Sequence, residues 1–131
     1  MLISEPLDLV RHLLRDLQTA MRDRDPAAAL DLFAEGASLL GTSATNLGRE
    51  AVDDYLSALV LEPTGYPLWD WETVSVVDSR PGAITFVALG TVGWADDPTD
   101  DSRTPMRLTC LMLENADRWR IELFHGSVLA T

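Results

Sequence analysis

Met106-Arg107-Leu108-Thr109-Cys110-Leu111-Met112-Leu113-Glu114, then Asn115-Ala116-Asp117-Arg118, then Trp119-Arg120-Ile121-Glu122-Leu123-Phe124-His125-Gly126-Ser127 is the stretch on which the fold turns. Two runs rich in aliphatic and aromatic residues flank a short polar turn, the pattern of an antiparallel hairpin. Centring the turn on Ala116-Asp117 puts Leu108, Cys110 and Met112 on the same side as Trp119, Ile121, Leu123 and His125. That side is apolar apart from His125. The opposite side carries Leu111, Leu113, Phe124 and Val128 among Arg107, Thr109, Arg120 and Glu122. A sheet apolar on both faces is packed on both. The first side is therefore expected to meet a core, and the second a partner subunit.

A second hairpin precedes it. Leu68–Asp78 and Ala83–Ala95 are joined by Ser79-Arg80-Pro81-Gly82, and Pro-Gly at the centre of a four-residue turn is a strong turn signal. Pairing Arg80 with Ala83 sets Trp69 against Trp94, Trp71 against Val92 and Val77 against Phe86, provided that no bulge intervenes. Trp69, Trp71 and Trp94 then share one side, with Asp70 and Glu72 on the other. Between the hairpins, Asp96–Ser102 is acidic. It lacks the central glycine and the closing glutamate of a calcium loop and reads as a solvated tip.

Upstream the periodicity changes from two to 3.6. Leu7, Val10, Leu14, Leu17 and Met21 recur at spacings of three and four, predicting a helix over residues 5–23 with His12 on its solvent side. Asp25-Pro26 caps a second helix running to about Ala34, with Ala29, Leu30 and Phe33 inward, Asp31 solvated and Gly36 as its stop. Ala37–Gly41 reads as a short strand and Thr42–Asn46 as a loop. A third helix starts near Gly48, with Val52, Tyr55, Leu56 and Leu59 on one side and Asp53 and Asp54 facing out. Glu62–Pro67 is a loop.

The composition narrows function mainly by exclusion. The 131 residues suit one domain. Net charge is −11 and every basic residue is an arginine, with no basic stripe to offset the field, so nucleic acid and anionic membranes are poor partners. No apolar run approaches the ~20 residues that span a bilayer. The opening Met1-Leu2-Ile3-Ser4-Glu5-Pro6 lacks the basic start and apolar core of a secretory leader, so a bacterial cytoplasmic location is expected. Cys110 stands alone, which removes disulfide and thiolate-metal frameworks. Nucleophile elbows, phosphate loops and zinc-spaced histidines are absent, so no metal or cofactor is expected.

The order helix, helix, short strand, helix and four long strands resembles the nuclear transport factor 2-like superfamily, and within it the SnoaL-like proteins. The residues that carry the resemblance are Ala29-Leu30-Asp31-Leu32-Phe33-Ala34-Glu35-Gly36-Ala37, Gly48-Arg49-Glu50-Ala51-Val52, and Trp119-Arg120-Ile121 leading to His125-Gly126-Ser127. It covers almost the whole of residues 1–131 as a single domain. The resemblance implies an α+β fold, a cone-shaped curved antiparallel sheet wrapped around three N-terminal helices. It also implies a class containing polyketide cyclases, ketosteroid isomerases, dehydratases, ligand-binding proteins and association domains, most of them dimers or larger. The inward acids of the isomerases and the acidic partner of the cyclase histidine have no evident counterpart here.

Within that cone the expected ligand-pocket residues are Phe33, Tyr55, Trp69, Trp71, Trp94, Leu108, Cys110, Leu123 and His125. His125 is the candidate acid–base group, since an imidazole titrates near neutral pH, with the Tyr55 hydroxyl assisting. Each has a plainer alternative. His125 reads also as a rim histidine bonded to a helix end or backbone carbonyl, Tyr55 as a packed flank residue, the three tryptophans as core filling, and Cys110 as an inert buried thiol. Two functions follow. One is a pocket of some 300 Å³ or more for a small apolar or aromatic molecule, extended to cofactor-free isomerase, cyclase or dehydratase chemistry. The other is a non-catalytic homodimeric module associating through Leu111, Leu113 and Phe124 of the sheet.

Overall fold

The computed structural model describes residues 5–63, 65–95 and 103–129. Their order is α1 (Pro6–Arg22), α2 (Pro26–Asp31), β1 (Phe33–Leu40), β2 (Thr45–Leu47), α3 (Arg49–Val60), β3 (Pro67–Arg80), β4 (Ala83–Trp94), β5 (Thr104–Asn115) and β6 (Arg118–Val128). The six strands form one curved, open sheet in the order β2-β1-β6-β5-β4-β3. One departure from the antiparallel expectation is the pairing of β1 with β6, which is parallel. The acidic segment Asp96–Ser102 lies outside the described residues.

Helix α1 follows from its stripe. Val10, Leu13, Leu14, Leu17, Ala20 and Met21 are buried, while proline opens the first turn, where its missing N–H costs nothing. His12 lies on the opposite side, exposed, with Asp16 one turn on at 3.7 Å. In α2, Asp25 accepts from the Ala28 N–H, but the helix ends at Asp31 rather than near Ala34. Phe33 consequently begins β1 instead of closing a helix, and Gly36 lies within that strand. The parallel pairing with β6 overrides the helical pattern here, a tertiary gain that a local reading does not weigh. The same sheet recruits Thr45–Leu47 as β2 from what reads locally as a loop.

Bulges decide which side chains are inside. In the β3–β4 hairpin Arg80 pairs with Ala83 as expected, but register shifts at Val76/Asp78 and Trp71/Thr73 move the far end by two places. Trp69 therefore pairs with Val92, Trp71 with Gly90 and Pro67 with Trp94. The three tryptophans still share the concave side, because two insertions restore the alternation.

The β5–β6 hairpin contains a single shift, and its effect is larger. Asn115 pairs with Arg118 and Met112 with Ile121, but Leu111 then pairs with Leu123, leaving Glu122 as the extra residue. Beyond it every side chain changes sides. Phe124 and Gly126 are buried on the concave face, whereas Leu123 is half-buried and His125 exposed on the convex one. The expectation of an inward Leu123 and His125 and an outward Phe124 is thus reversed. The core fills the space between the concave face and α1 and α3, with Phe33, Ile84, Phe86, Leu108, Cys110, Met112, Ile121 and Phe124 meeting Val10, Leu14, Val52 and Leu56.

Candidate functional site

A cavity of about 370 Å³ lies between α1, α3 and the concave face. It sits at the end of the sheet where β1, β4 and β6 finish and β3 and β5 begin. Leu17 and Met21 of α1, Tyr55, Leu56 and Leu59 of α3, and Phe33 and Phe124 of the sheet line its interior. The Phe33 and Phe124 rings stand 6.1 Å apart, tilted at 49°, so both edges and faces are presented. Trp69, Val92 and Trp94 form one wall. Thr42, Ser43, Ser127 and the exposed Val128 belong to the rim, where the Thr42 hydroxyl accepts from the Val128 N–H at 2.7 Å.

Gln18 holds the tryptophan wall, and no sequence pattern pointed to it. Its side-chain N–H donates to the Pro67 carbonyl at 3.0 Å and its Oε1 accepts from the Trp69 N–H at 2.9 Å. The amide of a helix residue thus continues the pairing along the free edge of β3. A polar residue between the buried Leu17 and the outward Thr19 reads as surface, and only the register of β3 reveals its role. Arg24 works similarly, donating to the carbonyls of Val60 and Glu62 and lying over the Tyr66 ring at 5.7 Å. It thereby fixes the segment between α3 and β3.

Of the expected pocket residues, the fold brings Phe33, Tyr55, Trp69 and Trp94 to the cavity. Trp71 packs half-buried against the core beyond it. Leu108 and Cys110 are fully buried beneath the floor and do not reach it. Burial pushes the Cys110 thiol far above the ordinary thiol range, which makes it inert at neutral pH. Leu123 and His125 are on the other side of the sheet, so His125 and Tyr55 do not share a compartment. Leu39, Leu40, Gly41, Pro67, Val92, Met106 and Gly126 complete the lining.

Tyr55 is the single ionisable group among the described lining residues. Its hydroxyl makes no hydrogen bond to a described residue. Partial burial raises its pKa above 10.0, so it is a neutral phenol at physiological pH, a donor and not a base. The cavity offers no carboxylate or imidazole among these residues. No cluster of three or more described histidine, cysteine or acidic residues could hold a metal ion. No described helix is long and apolar enough to cross a membrane.

A second, polar cleft of about 310 Å³ opens where β1 departs from β6. Asp31, which reads as solvated in sequence, is here the anchor of the β5–β6 turn. Arg118 Nη2 lies 2.6 Å from its Oδ2, Arg120 Nη2 lies 3.6 Å from its Oδ1, and Arg120 Nε donates to its carbonyl at 3.0 Å. The Arg118 hydrogen bond holds the Asp31 carboxyl below its ordinary value of 3.8, against an opposing desolvation. A depressed carboxyl contributes stability above its unfolded value and loses it as pH falls through the folded one. Because the pair is exposed and screened by solvent, the contribution is small. Asp31→Asn is therefore expected to lower the urea midpoint slightly at pH 6, and to match the wild type once acid has protonated Asp31 well below pH 3.8.

Comparison with known proteins settles the family. The profile of the SnoaL-like domain matches residues 10–131. The chain belongs to the SnoaL-like family. The SnoaL-like fold is shared by a nuclear transport factor 2-like protein of unknown function from Pseudomonas putida KT2440, at 18% identity and a TM-score of 0.80 over 95% of this chain and 87% of that one. A proposed dehydratase of the same superfamily from Streptomyces avermitilis is 14% identical, with a TM-score of 0.81 over 95% of this chain and 96% of that one. A cystatin-like protein from Caulobacter vibrioides is 19% identical, with a TM-score of 0.76 over 97% and 92%. At such identities the likeness is one of fold. No curated protein sequence matches the SnoaL-like chain significantly.

Proposed function

We propose that this SnoaL-like domain binds one small uncharged molecule, apolar or aromatic and bearing an acceptor oxygen, in the cavity beneath Trp69 and Trp94. The observation that carries the reading is the Tyr55 phenol, half-buried in an apolar cavity with no hydrogen bond to a described residue. The hydroxyl is open to solvent at the cavity, and a ligand oxygen would replace water as its acceptor at a net gain of about 1 kcal/mol. The surrounding lining gains affinity from area, and the absence of a counter-charge disfavours ionised ligands. Turnover would need a base that the described lining does not supply, so the reading is of binding rather than catalysis.

The test is titration of a panel of neutral mono- and bicyclic phenols, ketones and lactones, followed by tryptophan fluorescence. A ketone or lactone that binds should lose about tenfold in affinity to Tyr55→Phe, the net worth of one hydrogen bond. Leu59→Trp, which fills the cavity, should abolish binding by every member of the panel. Equal affinity of wild type and Leu59→Trp would place the ligand elsewhere.

A second reading, association of two copies through the convex face, has its own observation. The convex positions of β4–β6 carry Val87, Leu89, Leu111, Leu113 and Leu123 with Glu122 as their one carboxylate, in a chain of net charge −11. Their cations are Arg107, Arg118 and Arg120, while Asp70 and Asp78 occupy the convex side of β3. A two-fold contact sets the same patch against itself, bringing the acidic edge of one copy over the basic strands of the other. A second copy is therefore the fitting occupant. Leu123 takes the place in this patch that the sequence reading gave to Phe124. Leu111→Arg should yield a folded monomer by light scattering at micromolar concentration; a wild type already monomeric there would remove the reading.

A further inference from the structure

We infer that Gly126 sets the shape of molecule that the cavity accepts. Its bare backbone floors a slot one carbon atom wide, which admits the edge of a flat conjugated ring and excludes a ring of tetrahedral carbons. The inference deepens the cavity-binding reading and rests on it.

A glycine inside a strand needs a reason, because it orders the most flexible residue and brings no side chain to packing. Backbone shape is not the reason here. Gly126 lies within β6, paired with Leu108, and its φ is outside the left-handed region that Gly48 and Gly82 occupy. Nor is it the close approach of another strand. A Cβ on Gly126 would meet two side-chain atoms, the Met106 ε-methyl at 3.1 Å and Phe124 Cε1 at 3.6 Å, with no backbone among them. The methyl ends an unbranched, flexible side chain that borders the cavity, so it can yield. What the missing side chain leaves is open space on the cavity side of the sheet. A bare strand position of this kind suits a ligand that comes close to backbone.

Register gives the slot its two walls. Along β6, Phe124 precedes Gly126 by one concave row, and Met106 of β5 pairs with Val128 one row beyond it. The Phe124 ring and the Met106 chain therefore flank the glycine, and all three residues line the cavity. Carbon atoms in ordinary contact rest about 3.5–4.0 Å apart. An atom at the Cβ position would already touch both walls, so the slot is one atom wide. An aromatic carbon carries its hydrogen in the ring plane and presents nothing above or below it. A tetrahedral carbon carries substituents on both sides and would have to push the walls apart, against a Phe124 ring packed on Phe33. Only the flat ring reaches the backbone without that cost.

The probes are coumarin, a flat bicyclic lactone, and camphor, a domed bicyclic ketone of equal heavy-atom count. Isothermal titration calorimetry of the full chain should show coumarin bound at least about tenfold more tightly, the discrimination a pocket exerts over one misplaced methylene. Gly126→Ala puts a methyl group in the slot and should weaken coumarin about tenfold or more. Its urea midpoint should be no lower than that of the wild type, since the entropic cost of ordering glycine is relieved. Met106→Ala removes one wall and should narrow the preference for coumarin; if that variant does not fold, Gly126→Ala decides alone. Equal binding of the two probes by the wild type, coumarin affinity unchanged in Gly126→Ala, or a Gly126→Ala chain less stable than the wild type each overturn the slot alone. So does a preference unchanged in folded Met106→Ala, or a wild type that binds other phenols, ketones or lactones but neither probe. Failure of the whole panel, coumarin and camphor included, overturns the cavity reading and the slot with it.

Discussion

Gly90→Ala is expected to lower the unfolding free energy by about 3 kcal/mol or more, the upper part of the range for forcing atoms into a packed site. A Cβ on Gly90 would fall 1.9 Å from the Asp70 carbonyl oxygen, 2.8 Å from its carbonyl carbon and 2.9 Å from Trp71 Cα. All three are backbone atoms, so no rotamer change relieves the clash. The strand itself must move. Gly90 pairs with Trp71 next to the extra residue Glu72, where β3 bends and leans into β4. Displacing β3 there also strains the Gln18 contacts to Pro67 and Trp69. Against a total stability of some 5–15 kcal/mol the loss is large. Urea unfolding followed by tryptophan fluorescence measures it. Gly36→Ala is the control: its nearest neighbour is the flexible Glu122 Oε1 at 3.7 Å, and the change should stay within about 1 kcal/mol.

Phe124→Ala and His125→Ala form the second large contrast, on adjacent residues of one strand. Phe124 is 8% exposed and its ring meets Phe33, so truncation should cost about 3–5 kcal/mol. His125 is exposed on the convex face, and its truncation should change monomer stability by no more than about 0.5 kcal/mol. A β6 alternating without interruption from Ile121 would give the opposite order. Urea melts of the two variants at low protein concentration, where association does not contribute, therefore read the register directly. Equal costs at the two positions would remove the bulge from the account.

How much of this was legible beforehand depended on whether the signal was local. The α1 stripe, the Asp25-Pro26 cap, the Pro81-Gly82 turn and the Ala116-Asp117 turn are each written within a few residues, and each produces the expected element. Their order was enough for the superfamily. The end of α2 was not legible, because Phe33–Leu40 becomes a strand through pairing with β6 some ninety residues away. Nor were the bulges, since Glu72 and Glu122 look like any outward polar residue in a strand. The aromatic wall of the site was anticipated because two insertions in β3–β4 cancel for the tryptophans. The histidine was misplaced because the single insertion in β5–β6 does not cancel. Gln18 and the Asp31 anchor needed contacts across the chain that spacing does not encode.

The extra residue at Glu122 sets the reading frame of the strand's inside and outside. From Leu123 onward β6 could present either of two interleaved sets of side chains to the cavity. Phe124 and Gly126 give it an apolar surface; Leu123 and His125 would give it one with an imidazole. Taking Glu122 into the ladder as an ordinary strand residue, without the bulge, would exchange the sets without altering any residue. Whether this one residue is bulged or in step therefore decides whether an imidazole lines the cavity, and a binder and a candidate acid–base catalyst can differ by strand phase alone.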